Sequence, residues 1–190
     1  MVLESTNEVV EHINATKYFG ELEIKPEEIP THETIKKFEN KDFNEYISVV
    51  GSEIDSKYFD AISKLSLSKK AIEEYGKDIK VVYTPIHGTG HMPVSTILNR
   101  LGISVSLVKE QCTMDSEFST VQVPNPEDEG ALKLGIELAK KINSDIVIGT
   151  DPDADRMGIA IRNAENEFVL LNGNQIGCLL LAYILERLKA

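Results

Sequence analysis

The sequence predicts an α/β fold, a three-layer α/β/α sandwich around a mostly parallel sheet with a C-terminal strand pair. Three observations carry this. Short, β-branched apolar runs recur at 79–83, 103–108 and 145–150. Stretches with helical spacing and helix-start signals separate them, and strands alternating with helices call for parallel pairing with helices on both faces. Two further runs, 158–162 and 168–171, flank Asn163-Ala164-Glu165-Asn166, a turn-rich tetrad that reads as a hairpin connection.

Residues 1–50 are uneven. A short helical start covers 3–14, Glu21-Leu22-Glu23-Ile24-Lys25 alternates like a strand, and Pro26 and Pro30 flank a turn. A second helix-like stretch spans 31–40, and an apolar pulse closes at Gly51. This part has no obvious core and is expected to be a connector from a preceding domain. The orderly domain is expected over 51–190. There Asp55 is placed to cap a helix holding Tyr58, Phe59, Ile62 and Leu65, and Ser68 to cap another that ends near Gly76. After the first strand, the loop 84–91 carries two glycines. Pro93 then suits the first turn of a helix running to Leu101.

After the second strand comes a long loop, 109–124. Asn125 is expected to cap Pro126-Glu127-Asp128, with Ala131, Leu134, Leu138 and Ile142 as the buried stripe of that helix. The last helix, about 172–189, is apolar on nearly every side at Leu179-Leu180-Leu181. It is therefore expected to be well covered, with Ile176, Leu180, Tyr183 and Ile184 in the core.

Composition narrows the partners. With 42% apolar and 27% charged residues in 190, the chain can bury a core without staples. The longest apolar run, 178–185, is far short of the roughly 20 residues a membrane span needs. The N-terminus lacks the basic and apolar regions of a signal peptide. A net charge of −11 with no basic cluster removes the electrostatic footprint of a nucleic-acid binder. Cys112 and Cys178 stand far apart with no CxxC spacing, which argues for free thiols in a reducing, cytoplasmic setting.

The chemistry concentrates in Thr150-Asp151-Pro152-Asp153-Ala154-Asp155-Arg156. Ligands of parallel α/β sheets gather at the carboxyl ends of strands, where this loop and 84–91 both fall. Aspartates at i, i+2 and i+4 converge if the strand exit stays extended. Three neighbouring carboxylates repel, and a hard dication such as Mg²⁺ resolves the conflict while leaving positions for a phosphoryl group. Asp151, Asp153 and Asp155 are thus the expected metal ligands. Arg156, the candidate catalytic residue, can either neutralise residual charge or grip a phosphate oxygen. A solvated acidic loop is the plain competitor. An EF-hand loop fails because its glycine and glutamate positions hold Arg156 and Arg162. A phosphatase with Asp151 as nucleophile and Asp153 as acid is a further alternative, which would need a downstream lysine and further carboxylates on the same cleft, where Glu165, Glu167 and Glu186 are scattered. A non-catalytic ion-binding or interaction module stays open as the rival class.

In His87-Gly88-Thr89-Gly90 the two glycines permit close approach of backbone to a ligand. This is no dinucleotide fingerprint, since Pro93 occupies the third glycine position. His87 and Gly88 are expected either to contact substrate at the rim of the cleft or to form a tight strand-to-helix turn. Pro124-Asn125-Pro126-Glu127 reads mainly as a structural cap.

These three segments, in this order, resemble landmarks of the α-D-phosphohexomutases, the phosphoglucomutase/phosphomannomutase superfamily. The likeness runs from about Tyr58 onward and is similar to the second of four domains, with the tail of domain 1 in front. It implies transfer of a phosphoryl group between the 1- and 6-positions of a hexose phosphate, through a phosphoserine and a bisphosphate intermediate. It also implies Mg²⁺ on Asp151, Asp153 and Asp155, Arg156 beside the phosphate, and domains 1, 3 and 4 as partners. The family's serine loop, sugar-reading loop and C-terminal phosphate loop do not occur in these residues. The 190-residue chain is expected to be inactive alone.

Overall fold

The computed structural model describes residues 3–15 and 50–189. The chain divides into two compact units, Met1–Gly51 and Ser52–Ala190. Within the first, helix α1 spans Leu3–Ala15. The expected strand at 21–25, the turn beside it and the helix at 31–40 lie outside the described residues.

The second unit runs α2 (Ser52–Ser63), α3 (Lys69–Tyr75), β1 (Lys80–Thr84), α4 (His91–Arg100), β2 (Ser104–Leu107), α5 (Glu129–Ile142), β3 (Ile146–Thr150), β4 (Met157–Arg162), β5 (Phe168–Leu171) and α6 (Gly173–Leu188). Five strands form one sheet in the order β2-β1-β3-β4-β5. Both neighbours of β1 are parallel to it, and β4 and β5 run antiparallel to complete the sheet. The fold is thus the α/β architecture that strand–helix alternation requires, with the C-terminal strand pair added at one edge.

The core sits between the sheet and α5. Val82, Val147 and Ala160 point to one face and meet Leu132 and Ala139, with Val108 closing the edge. The buried stripe of α5 is Ala131, Leu132, Gly135 and Ala139, a quarter-turn from the expected one. Small residues win the centre because they let the helix lie close to the sheet, and Leu134, Leu138 and Ile142 pack around it. Asp128, not Asn125, caps this helix, accepting from Gly130 N. Asn125 Oδ1 accepts from Glu127 N instead, so 125–128 is a turn ahead of the helix. At the other end of α5, Arg162 Nε donates to Ser144 O at 2.9 Å while its guanidinium lies 4.6 Å from the Phe168 ring centre.

Three further expectations are corrected. Asp55 stands inside the first turn of α2 rather than ahead of it, and only Phe59 of that helix is buried, with Tyr58 and Leu65 exposed. Helix α6 begins as expected, at an Asn172–Gln175 capping box. Its body is uncovered. Only Ile176 is buried, and Leu179, Leu180, Leu181, Tyr183, Ile184, Leu185 and Leu188 are 37–72% exposed. Ser68 precedes α3 without a capping bond, and its hydroxyl accepts from Tyr183 instead. Among the described residues no helix is long and apolar enough to cross a membrane.

Candidate metal centre

Strand β3 delivers its carboxyl end to the aspartate loop, and β4 carries the chain away. Thr150 and Met157 pair across this hairpin, so the loop is the six residues from Asp151 to Arg156. It is not extended. Ala154 N donates to Asp151 O at 3.0 Å, and Ala154 adopts φ 60° in the left-handed region. That turn, rather than strand alternation, gathers the side chains. One oxygen from each of Asp151, Asp153 and Asp155 lies within 4.8 Å of the others. Magnesium holds oxygens at about 2.1 Å, so opposite ligands stand about 4.2 Å apart. Adjacent oxygens stand only about 3.0 Å apart, so the trio must draw together to share such an ion, and an all-carboxylate set is the donor chemistry a hard dication selects.

Asp151 is the fixed member, 8% exposed, with Oδ1 accepting from Arg156 N at 2.9 Å. Asp153 and Asp155 are exposed. The charge of Asp153 is the largest influence on Asp155, followed by desolvation and Asp151, and the Asp155 carboxyl titrates above its ordinary value despite Arg156. Arg156 Nε stands 3.8 Å from both Asp151 Oδ2 and Asp155 Oδ1. At that range it offsets charge without a committed hydrogen bond, and its guanidinium remains mostly in solvent.

Two close approaches through glycines frame this site, Gly88 against Pro152 in the loop and Gly158 of β4 against Pro126. A Cβ on Gly88 would stand 2.3 Å from Pro152 Cα, and one on Gly158 only 1.9 Å from Pro126 O. Thr89 N donates to Pro152 O at 2.8 Å, and the Thr89 hydroxyl donates to the same oxygen at 3.2 Å. Below, Tyr83 and Thr150 share a buried hydrogen bond of 2.9 Å, and burial pushes the Tyr83 hydroxyl up to about 12. It is therefore a neutral partner at physiological pH. Burial likewise pushes up the thiol of Cys112, a free cysteine, as is Cys178.

His87 is 6% exposed, with Nδ1 2.8 Å from Thr113 O and Nε2 2.7 Å from Thr120 Oγ1. Both ring nitrogens are engaged, so neither faces an incoming substrate in this conformation. Gly88 meets Pro152 rather than open space. Both residues lie in a tight turn that is pressed against the aspartate loop. Sequence reasoning missed Gln111 and Thr120, which tie this turn from below. They sit in a long polar loop with no spacing signal.

A mixed five-stranded sheet that presents three carboxylates at the carboxyl edge of its parallel strands defines a class: an α/β/α layered domain built around an acidic loop of metal-ligand type. Residues 56–165 match the sequence family described as phosphoglucomutase/phosphomannomutase, alpha/beta/alpha domain II, and the chain belongs to that family. It is 50% identical over 111 residues to a phosphoglucomutase of Staphylococcus epidermidis, covering 58% of this chain and 20% of that protein. A phosphoglucomutase of Staphylococcus aureus strain USA300 is 47% identical over the same span. The chain therefore spans about a fifth of the length of these curated relatives. A crystal structure of a phosphoglucomutase/phosphomannomutase family protein from Burkholderia thailandensis shares the fold, with TM-score 0.56, 17% identity, and coverage of 70% of this chain and 26% of that one.

Proposed function

We propose that this chain is the metal-loop domain of a phosphohexomutase that interconverts hexose 1-phosphate and 6-phosphate through a phosphoserine and a bisphosphate intermediate. The observation that carries the reading is the convergence of three carboxylates inside the segment matched by the family. The phosphoglucomutase names of the relatives, at 47–50% identity, favour a glucose phosphate. Asp151, Asp153 and Asp155 would hold Mg²⁺, which when bound supplies Lewis-acid polarisation of a phosphoryl oxygen and charge balance. Asp151 is the anchor, because Arg156 N fixes its carboxylate. The Arg156 guanidinium, free of a short hydrogen bond, is available to grip a phosphate oxygen.

In this reading residues 1–50 are a connector from a serine-bearing domain. Domains 1, 3 and 4 of a longer protein are the partners. His87 and Gly88 serve the site by fixing the aspartate loop. Two free cysteines suit a reducing cytoplasm. The 190 residues contain no serine loop and are expected to show no mutase activity alone.

The test is metal-linked stability. An ion that binds only the folded state at ten times its Kd stabilises by about 1.4 kcal/mol. Millimolar Mg²⁺ should raise the melting temperature of the chain, and Asp153→Ala should abolish the rise. Equal responses from both proteins would refute the metal site. Isomerisation of glucose 1-phosphate by the 190-residue chain would refute the assigned division of labour.

A further inference from the structure

The turn that clamps the aspartate loop is held by a chain of hydrogen bonds, buried at its Thr84 end and half-buried at Thr120. Ile86 N–H donates to Thr84 Oγ1 at 3.1 Å, and the Thr84 hydroxyl donates to Gln111 Oε1 at 2.6 Å. Gln111 Nε2 donates to Thr120 Oγ1 at 3.1 Å. Thr120 spends its single proton on His87 Nε2, 2.7 Å away, and His87 Nδ1 donates to Thr113 O at 2.8 Å. The Thr113 carbonyl only accepts, so the neutral form of the His87 ring donates to it from Nδ1 and accepts at Nε2.

The relay opposes a local conformational cost. Ile86 and His87 adopt φ 46° and 63°, and the left-handed region is costly for a β-branched residue. Such a turn persists only when its surroundings over-determine it. Thr84 and Gln111 are fully buried, Gln111 O also accepts from His87 N at 2.8 Å, and the Phe118 ring lies edge-on to His87. Asp115 shapes the segment that presents Thr120, accepting from Glu117 N and Ser119 N. The output of the strained turn is the placement of Gly88 and Thr89 on Pro152, inside the aspartate loop.

We propose that Thr120 and Gln111 are positioning residues for the aspartate loop, acting through the His87 ring and the Thr89–Pro152 clamp. The consequence for metal rests on the function proposed above. The clamp itself does not. Groups that orient a ligand from outside its immediate shell typically change metal affinity by about 10- to 100-fold when removed.

The experiment compares the full chain with Thr120→Val and Thr120→Ser. In metal-free protein, ¹⁵N spectra of wild type should show His87 protonated on Nδ1. Amide exchange at Thr89 should accelerate at least about tenfold in Thr120→Val, as local opening replaces the clamp, and return to near wild type in Thr120→Ser. Mn²⁺ titration followed by electron paramagnetic resonance should show about tenfold weaker binding in Thr120→Val only. A wild-type His87 protonated on Nε2 overturns the proposal even if Thr120→Val does not fold. Unchanged Thr89 exchange in a folded Thr120→Val also overturns it. If wild type binds no Mn²⁺ while Thr89 loses protection in Thr120→Val, the clamp stands and the metal reading falls.

Discussion

Repulsion among the three aspartates is a cost the folded chain carries when no cation is present, and one substitution exposes it. The Asp155 carboxyl is held above its ordinary value chiefly by Asp153. A carboxyl raised in this way contributes stability below the unfolded value, near pH 4, and that contribution is lost as pH rises through the folded value. Asn at this position mimics the protonated form, keeping a donor toward Asp151 and removing one charge. Asp155→Asn should therefore melt at higher temperature than wild type at pH 7 in EDTA. The gap should shrink toward zero below pH 4, and the order should reverse in millimolar Mg²⁺. A variant less stable than wild type in EDTA at pH 7 would mean that the trio is not under strain. The aspartates were legible in sequence because their chemistry lies in residues two apart along the chain. Gln111 and Thr120 were not, because they reach Thr84 and His87 across 27 and 33 residues. Only the folded sheet brings them together.

Elements were legible where a local pattern determines them, and less so where packing decides. Each β-branched run became a strand, within a residue or two of its expected bounds. The start of α5 was misplaced because Asn-Pro followed by acidic residues suits an Asx turn as well as a helix cap. The sequence also shows apolar residues on α6 without showing what, if anything, covers them. Close approaches between elements are the least legible feature, and Gly158 is the sharpest case. A methyl group there would overlap the Pro126 carbonyl, which is backbone between a buried proline ring and α5 and has little room to shift. Overpacking costs about 1–3 kcal/mol where side chains can yield. Against backbone, Gly158→Ala should reach or exceed about 3 kcal/mol in urea unfolding. Gly177→Ala in α6 is the control, because nothing lies within 4 Å of its added methyl. There the helix-propensity gain of about 0.5–1 kcal/mol should appear. If both glycines tolerate alanine equally, the contact between Pro126 and β4 is looser than described.

At the scale of the whole molecule, the cooperative unit is set by where the core residues come from. Val82, Val108, Leu132, Ala139, Val147 and Ala160, with the partly buried residues packed on them, all belong to the second unit. The aspartate loop and the His87 relay lie within the same unit. A chain of residues 52–190 should therefore unfold in a single cooperative transition, as single domains of this size usually do. It should keep the amide protection of Thr89 and the Mg²⁺-dependent rise in melting temperature shown by the full chain. Helix α6 makes the outcome informative, because its exposed leucines contribute little buried area. Transfer free energy follows area removed from water, about 25 cal/mol per Å², so substitutions of Leu179 or Leu181 by Gln should barely change the unfolding free energy of either chain. A large loss at these positions would show that α6 is covered in solution. Loss of cooperativity on removing residues 1–51 would place part of the cooperative unit in the first segment and overturn its assignment as a connector.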